Sequence, residues 1–105
     1  MILCLDVGNT QVYGGVFDQE RLKTQFRRTS QLNSSSDELG VFFRAVLREN
    51  NIEPSAIQSI VICCVVPDLL YSLRACAQKY FDIEPLILRP GIKTGLKVAY
   101  RDPKE

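Results

Sequence analysis

The sequence contains no histidine. That absence removes Ser-His and Cys-His nucleophile pairs, the commonest zinc sites and the usual general base near neutral pH. Acid–base chemistry must therefore rest on a carboxylate, or failing that on Lys, Tyr or Cys. Charge of one sign is also lacking: 13 Lys and Arg stand against 12 Asp and Glu, a net charge of +1. The densest basic cluster is Arg27-Arg28, so nothing offers an electrostatic footprint for nucleic acid or an anionic membrane surface. No apolar run reaches the roughly 18 residues of a membrane span. The start, Met1-Ile2-Leu3-Cys4-Leu5-Asp6, has no basic region and meets an acid early, unlike a signal peptide. A cytoplasmic protein is expected. The four cysteines, Cys4, Cys63, Cys64 and Cys76, lie in apolar runs without a C-x-x-C spacing. They read as buried free thiols, and neither zinc nor a disulfide framework is indicated.

What is present suits one ordinary globular domain: 105 residues, 46% apolar and 24% charged. Ile2 to Leu5 is a short continuous apolar run, as expected of a strand buried on both faces. A turn follows at Gly8-Asn9-Thr10, and Val12 to Phe17 reads as a second strand. After the polar loop Asp18-Gln19-Glu20-Arg21, Leu22, Thr24 and Phe26 alternate with polar residues, the period of a half-exposed strand. Ser35 and Glu38 have capping-box spacing. The apolar positions Leu39, Phe42, Phe43, Val46 and Leu47 then mark one face of a helix that Asn50-Asn51 can stop. Ile60 to Val66 is an unbroken apolar run rich in β-branched residues, which predicts a central strand. Pro67-Asp68 opens a second helix with Leu69, Leu73, Cys76, Ala77 and Tyr80 on one face. Pro85 to Leu88 is a last short strand. The expected order is β-β-β-α-β-α-β, an antiparallel meander followed by crossovers, giving a mixed sheet with helices on its faces.

One segment can carry chemistry. Asp6-Val7-Gly8-Asn9-Thr10 sits where the first buried strand turns into the second. The strand end fixes the Asp6 carboxylate, a hard oxygen ligand suited to hydrated Mg²⁺. Gly8 lets backbone approach a phosphate closely and offers N–H donors, while Asn9 and Thr10 add side-chain donors. Phosphoryl transfer needs mainly positioning and charge neutralisation, which such a turn provides. The plain alternative is a β-turn in which Gly8-Asn9 only satisfies hairpin geometry. No Walker A loop, G-x-x-x-x-G-K-[ST], occurs in the chain.

The turn, its hairpin and the element order together resemble the actin, Hsp70 and sugar-kinase superfamily. The fold class this implies is an α/β ribonuclease H-like (actin-like ATPase) half-domain. Within that superfamily the chain most resembles type III pantothenate kinases. The opening Met1 to Thr10 and the helix entry Asp37-Glu38-Leu39 match the family. Ile60-Val61-Ile62-Cys63-Cys64-Val65-Val66-Pro67 resembles its I-S-S-V-V-P segment, with cysteines in place of serines. Pro90-Gly91-Ile92-Lys93-Thr94-Gly95-Leu96 resembles P-G-x-K-T-G-L, and Tyr100-Arg101-Asp102-Pro103 resembles Y-D-N-P. The matches run through the whole chain in order.

The resemblance implies an enzyme that phosphorylates pantothenate with ATP, the first step of coenzyme A synthesis. It implies Mg²⁺ and a monovalent cation (K⁺ or NH₄⁺) as cofactors, and a homodimer. Carried over by position, Asp6, Val7, Gly8, Asn9, Thr10, Gln11, Val12 and Tyr13 would form the ATP-phosphate loop. Asp6 would hold the metal and Tyr100 would contact pantothenate. Cys63-Cys64 reads as core and Lys93 as solvated. Two departures stand out: Arg101-Asp102 replaces the family's Asp-Asn, and the G-x-D-R motif with its catalytic aspartate lies beyond Glu105. The expected division is a domain over 1–90 and a tail over 91–105, with the chain alone inactive. Two rivals remain at this point: a non-catalytic phosphate-ligand-binding or regulatory module, and half of another kinase of the same superfamily.

Overall fold

A computed structural model describes residues 1–88. Five strands form one mixed sheet in the order β3-β2-β1-β4-β5. They are β1 (Ile2–Val7), β2 (Gln11–Asp18), β3 (Arg21–Thr29), β4 (Ser59–Cys64) and β5 (Leu86–Leu88). The helices are α1 (Ser36–Glu49) and α2 (Pro67–Phe81), with one 3-10 turn at Pro54–Ala56. β1 is central, antiparallel to β2 and parallel to β4, which explains its nearly unbroken burial.

Among the described residues both helices pack on one face of the sheet. Leu39, Phe43 and Leu47 of α1 and Leu69, Leu73, Cys76 and Ala77 of α2 share a core with Leu3, Leu5, Val7, Val12, Val16, Ile60 and Ile62. Each fully buried Leu or Phe there contributes about 1.5–3 kcal/mol. The opposite face carries a smaller cluster in which Cys4 and Phe17 meet Ile2, Tyr13, Leu22 and Val61. The expected period-2 stripe of β3 is split between these faces. A register shift at Val16/Phe17 pairs Val16 with Thr24 but Phe17 with Leu22. The bulge turns Leu22 to the small cluster while Phe26 stays with the helices. Phe26 also lies across Gly14, its partner on β2, where an added Cβ would run into the ring.

The helix signals act as read. Ser35 Oγ accepts the Glu38 N–H at 3.0 Å and the Glu38 carboxylate accepts the Ser35 N–H at 2.9 Å, a complete capping box. Asn50 caps the other end and Asn51 takes a left-handed φ of 62°. The strand expected over Ile60 to Val66 is shorter at its end and begins one residue earlier. Val66 becomes the residue before α2, held extended at φ −117° and ψ 97° by the proline that follows it. The Cys64 thiol brackets this bend, donating to the Val66 carbonyl at 3.0 Å and accepting from the Val66 N–H at 3.4 Å.

Candidate functional site

The turn between β1 and β2 stands at the carboxyl end of β1. Parallel β4 ends beside it, Val7 pairing with Cys64, and the Val65 N–H extends the link by donating to the Val7 carbonyl at 3.1 Å. Ligands of open α/β sheets bind outside such carboxyl ends. Asp6 occupies the last position of β1 that faces away from the helices. Its neighbours across the sheet are Tyr13 on β2 and Cys63 on β4, and Arg27 of β3 lies opposite Tyr13. Arg27, Tyr13, Asp6 and Cys63 thus form one row on one face. The Asp6 side chain is almost enclosed, at 8% exposure.

The eight residues predicted for the phosphate loop divide by location. Asn9 and Thr10 are exposed, and Gly8, Gln11 and Tyr13 are half-buried. Val7 and Val12 point into the helix-side core, so their side chains serve packing. The Gly8 N–H is engaged within the turn, donating to the Gln11 carbonyl at 2.9 Å. That N–H, read from the sequence as a donor to phosphate, is thus already engaged. Neither Asn9 nor Thr10 has a positive φ, and Gly8 lies outside the left-handed region too. The type I′ or II′ hairpin that would explain a glycine-asparagine pair needs positive φ at its first central residue, so the conformational reason for Gly8-Asn9 is absent. A Cβ on Gly8 would meet only the Gln11 carbonyl, at an ordinary 3.5 Å. Nothing inside the described chain requires glycine there.

Sequence reading missed Ser30, the first residue after β3. Its hydroxyl donates to the Gly8 carbonyl at 2.8 Å and its N–H donates to the Thr10 carbonyl at 2.8 Å. A lone serine 22 residues from its partner gives no local signal of such a contact. Tyr100, Lys93 and the segments 90–96 and 100–103 lie outside the described residues. Burial pushes the Cys4 thiol up to about 11 and the Cys76 thiol to about 12, which keeps both protonated near neutral pH. Cys64 is shifted upward as well, chiefly by burial. All four cysteines are buried. No helix among the described residues is long and apolar enough to cross a membrane.

A family model described as type III pantothenate kinase matches residues 2–105. A type III pantothenate kinase of Legionella pneumophila (strain Corby) is 56% identical over 105 residues, covering 100% of this chain and 41% of the relative. One from Elusimicrobium minutum (strain Pei191) is 49% identical over 102 residues, covering 97% and 40% respectively. The chain thus spans well under half the length of these relatives. Among solved structures, ROK hexokinase from Thermus thermophilus superposes with a TM-score of 0.64 at 15% identity, over 84% of this chain and 34% of that one. A Porphyromonas gingivalis protein described as an N-acetylglucosamine kinase gives 0.61 at 16% identity, over 85% and 34%. At such identities the likeness is one of fold, that of the actin-like kinases.

Proposed function

The chain belongs to the type III pantothenate kinase family, and on that premise we propose that the whole protein transfers the γ-phosphoryl group of ATP to pantothenate, the entry step of coenzyme A synthesis. The observation that carries the reading is the Gly8 turn. Its glycine is demanded neither by φ nor by internal contact, whereas a phosphate lying against the turn would use the space a Cβ would fill. Asp6 stands directly behind that turn as a nearly enclosed carboxylate.

In this reading Asp6, Gly8, Asn9, Thr10 and Gln11 meet the nucleotide phosphates, Tyr13 flanks them, and Val7 and Val12 hold the turn in register from the core. One enclosed carboxylate fits Mg²⁺, which keeps most of its water and is shared with substrate phosphates. No cluster of three metal-ligating side chains exists among the described residues to hold a metal alone. Bound at Asp6, the ion would supply charge neutralisation to the phosphates. Gly8 and its neighbours orient the nucleotide, and Asn9 and Thr10 offer donors to its oxygens. Activation of the pantothenate hydroxyl belongs to the aspartate of a G-x-D-R motif in the remaining part of the protein, with Tyr100 contacting that substrate. The monovalent cation, the homodimer and the cytoplasmic location rest on family resemblance. The same holds for a domain ending near residue 90 and a connecting segment over 91–105.

The experiment is a coupled assay of ADP release by the whole protein with Mg²⁺ and K⁺, offering pantothenate, glucose or N-acetylglucosamine as acceptor. The expected result is turnover with pantothenate only. Turnover with a sugar alone would assign the protein to a different kinase of the same fold.

A further inference from the structure

Two peptide units of the phosphate turn, those on either side of Asn9-Thr10, are held from outside the turn by one residue. Ser30 reaches it with two donors, the hydroxyl to the Gly8 carbonyl and the N–H to the Thr10 carbonyl, both at 2.8 Å. These two carbonyls flank Asn9. Every peptide bond among the described residues is trans, so in each unit the C=O and the following N–H point in opposite directions. Drawing the Gly8 carbonyl toward Ser30 therefore turns the Asn9 N–H away from it. Drawing the Thr10 carbonyl toward Ser30 does the same to the Gln11 N–H.

We propose that Ser30 is a positioning residue for nucleotide binding: by anchoring the Gly8 and Thr10 carbonyls it aims the Asn9 and Gln11 N–H groups at the triphosphate. The inference deepens the kinase reading and rests on it. Its physical basis is preorganisation, since donors already oriented need no reordering when the anion arrives. The Gly8 N–H is engaged by the Gln11 carbonyl, whereas the Asn9 and Gln11 N–H groups belong to the peptide units whose carbonyls Ser30 holds. The β3 end, anchored by β2–β3 pairing from Gln11↔Thr29 onward, gives Ser30 a rigid support.

The test uses the whole protein as wild type, Ser30→Ala and Ser30→Thr, with steady-state kinetics for each substrate. For Ser30→Ala we expect the KM for ATP to rise about tenfold, the effect of one lost hydrogen bond on a turn that must then order itself. The KM for pantothenate should stay within twofold, and Ser30→Thr, which keeps the hydroxyl, should restore the ATP value. An unchanged ATP KM in Ser30→Ala overturns the proposal, as does a threonine variant as impaired as the alanine. Equal loss for both substrates with lowered thermal stability also overturns it, because that is general loosening. If the wild type turns over no pantothenate, the kinase reading fails separately. ATP affinity by calorimetry on the same three proteins then decides for or against Ser30.

Discussion

Tyr80 of α2 lies against Gly40 of α1 so closely that a Cβ on the glycine would overlap the ring. The ring is held there, because its hydroxyl donates to Asp37 at 2.7 Å and the Tyr80 carbonyl accepts from Arg44 at 2.9 Å. Asp37, Gly40 and Arg44 are spaced along one face of α1, so a single tyrosine of α2 touches three positions of that helix.

This contact predicts a reversal of sign. In a free helix Gly→Ala stabilises by about 1 kcal/mol. Here Gly40→Ala should destabilise by about 1–3 kcal/mol, through overpacking against an anchored ring. In a Tyr80→Ala background the same substitution should become neutral or stabilising. Urea unfolding of the four proteins in the cycle measures both.

A pH dependence follows from the same contact. Hydrogen bonds from Lys79 first, and then Tyr80, hold Asp37 below its ordinary 3.8. The bond from the Ser35 N–H, followed by its hydroxyl, holds Glu38 below 4.5. Carboxylates depressed in the folded state contribute stability above their unfolded pKa, and that contribution is lost as pH falls through the lower folded value. The urea midpoint should therefore decline on acidification below about pH 4, and Asp37→Asn should flatten the decline. Lys79 and Tyr80 are raised from 10.5 and 10.0, each chiefly by its bond to Asp37. Their contribution is present below those values and lost above the raised ones. Asp37, Glu38 and Lys79 are exposed and Tyr80 is half-buried, so molar salt should weaken the effect. A midpoint insensitive to Asp37→Asn at every pH would remove this contact from the account.

Gly8 separates function from fold. Because its φ is ordinary and a Cβ would sit 3.5 Å from the nearest atom, Gly8→Ala should change stability by no more than about 0.5 kcal/mol. The methyl should nevertheless occupy the space of a phosphate oxygen and lower kcat/KM for ATP by at least about tenfold. Unfolding curves and ATP kinetics on one preparation check both. A destabilised variant, or one with wild-type kinetics, would show that the glycine serves the turn alone.

The local features were legible in the sequence because each is written within a few residues. The capping box at Ser35 and Glu38, the buried face of α1 and the Asp6-to-Thr10 turn all belong here. The β3 bulge was not, since Leu22, Thr24 and Phe26 keep perfect alternation while Phe17 pairs one residue out of step. Period 2 reports alternation and carries no information on register. The need for glycine at position 40 was not legible, because the ring that requires its missing Cβ lies 40 positions away in α2. Ser30 was hidden for the same reason. Within the site, the sequence singled out the residues of the turn. The structure adds that two of them, Val7 and Val12, face the core, and that the Gly8 N–H is already engaged.

The central claim is that Asp6 and its turn serve phosphoryl transfer from ATP to pantothenate, and a coupled ADP-release assay on the whole protein and its Asp6→Asn variant tests it most directly. The account predicts pantothenate-dependent turnover in the wild type. It predicts a fall in kcat of at least about a hundredfold in Asp6→Asn, with the variant's unfolding midpoint close to wild type. Asp6→Asn turnover equal to wild type, or no pantothenate-dependent turnover in a folded wild-type protein, would contradict it.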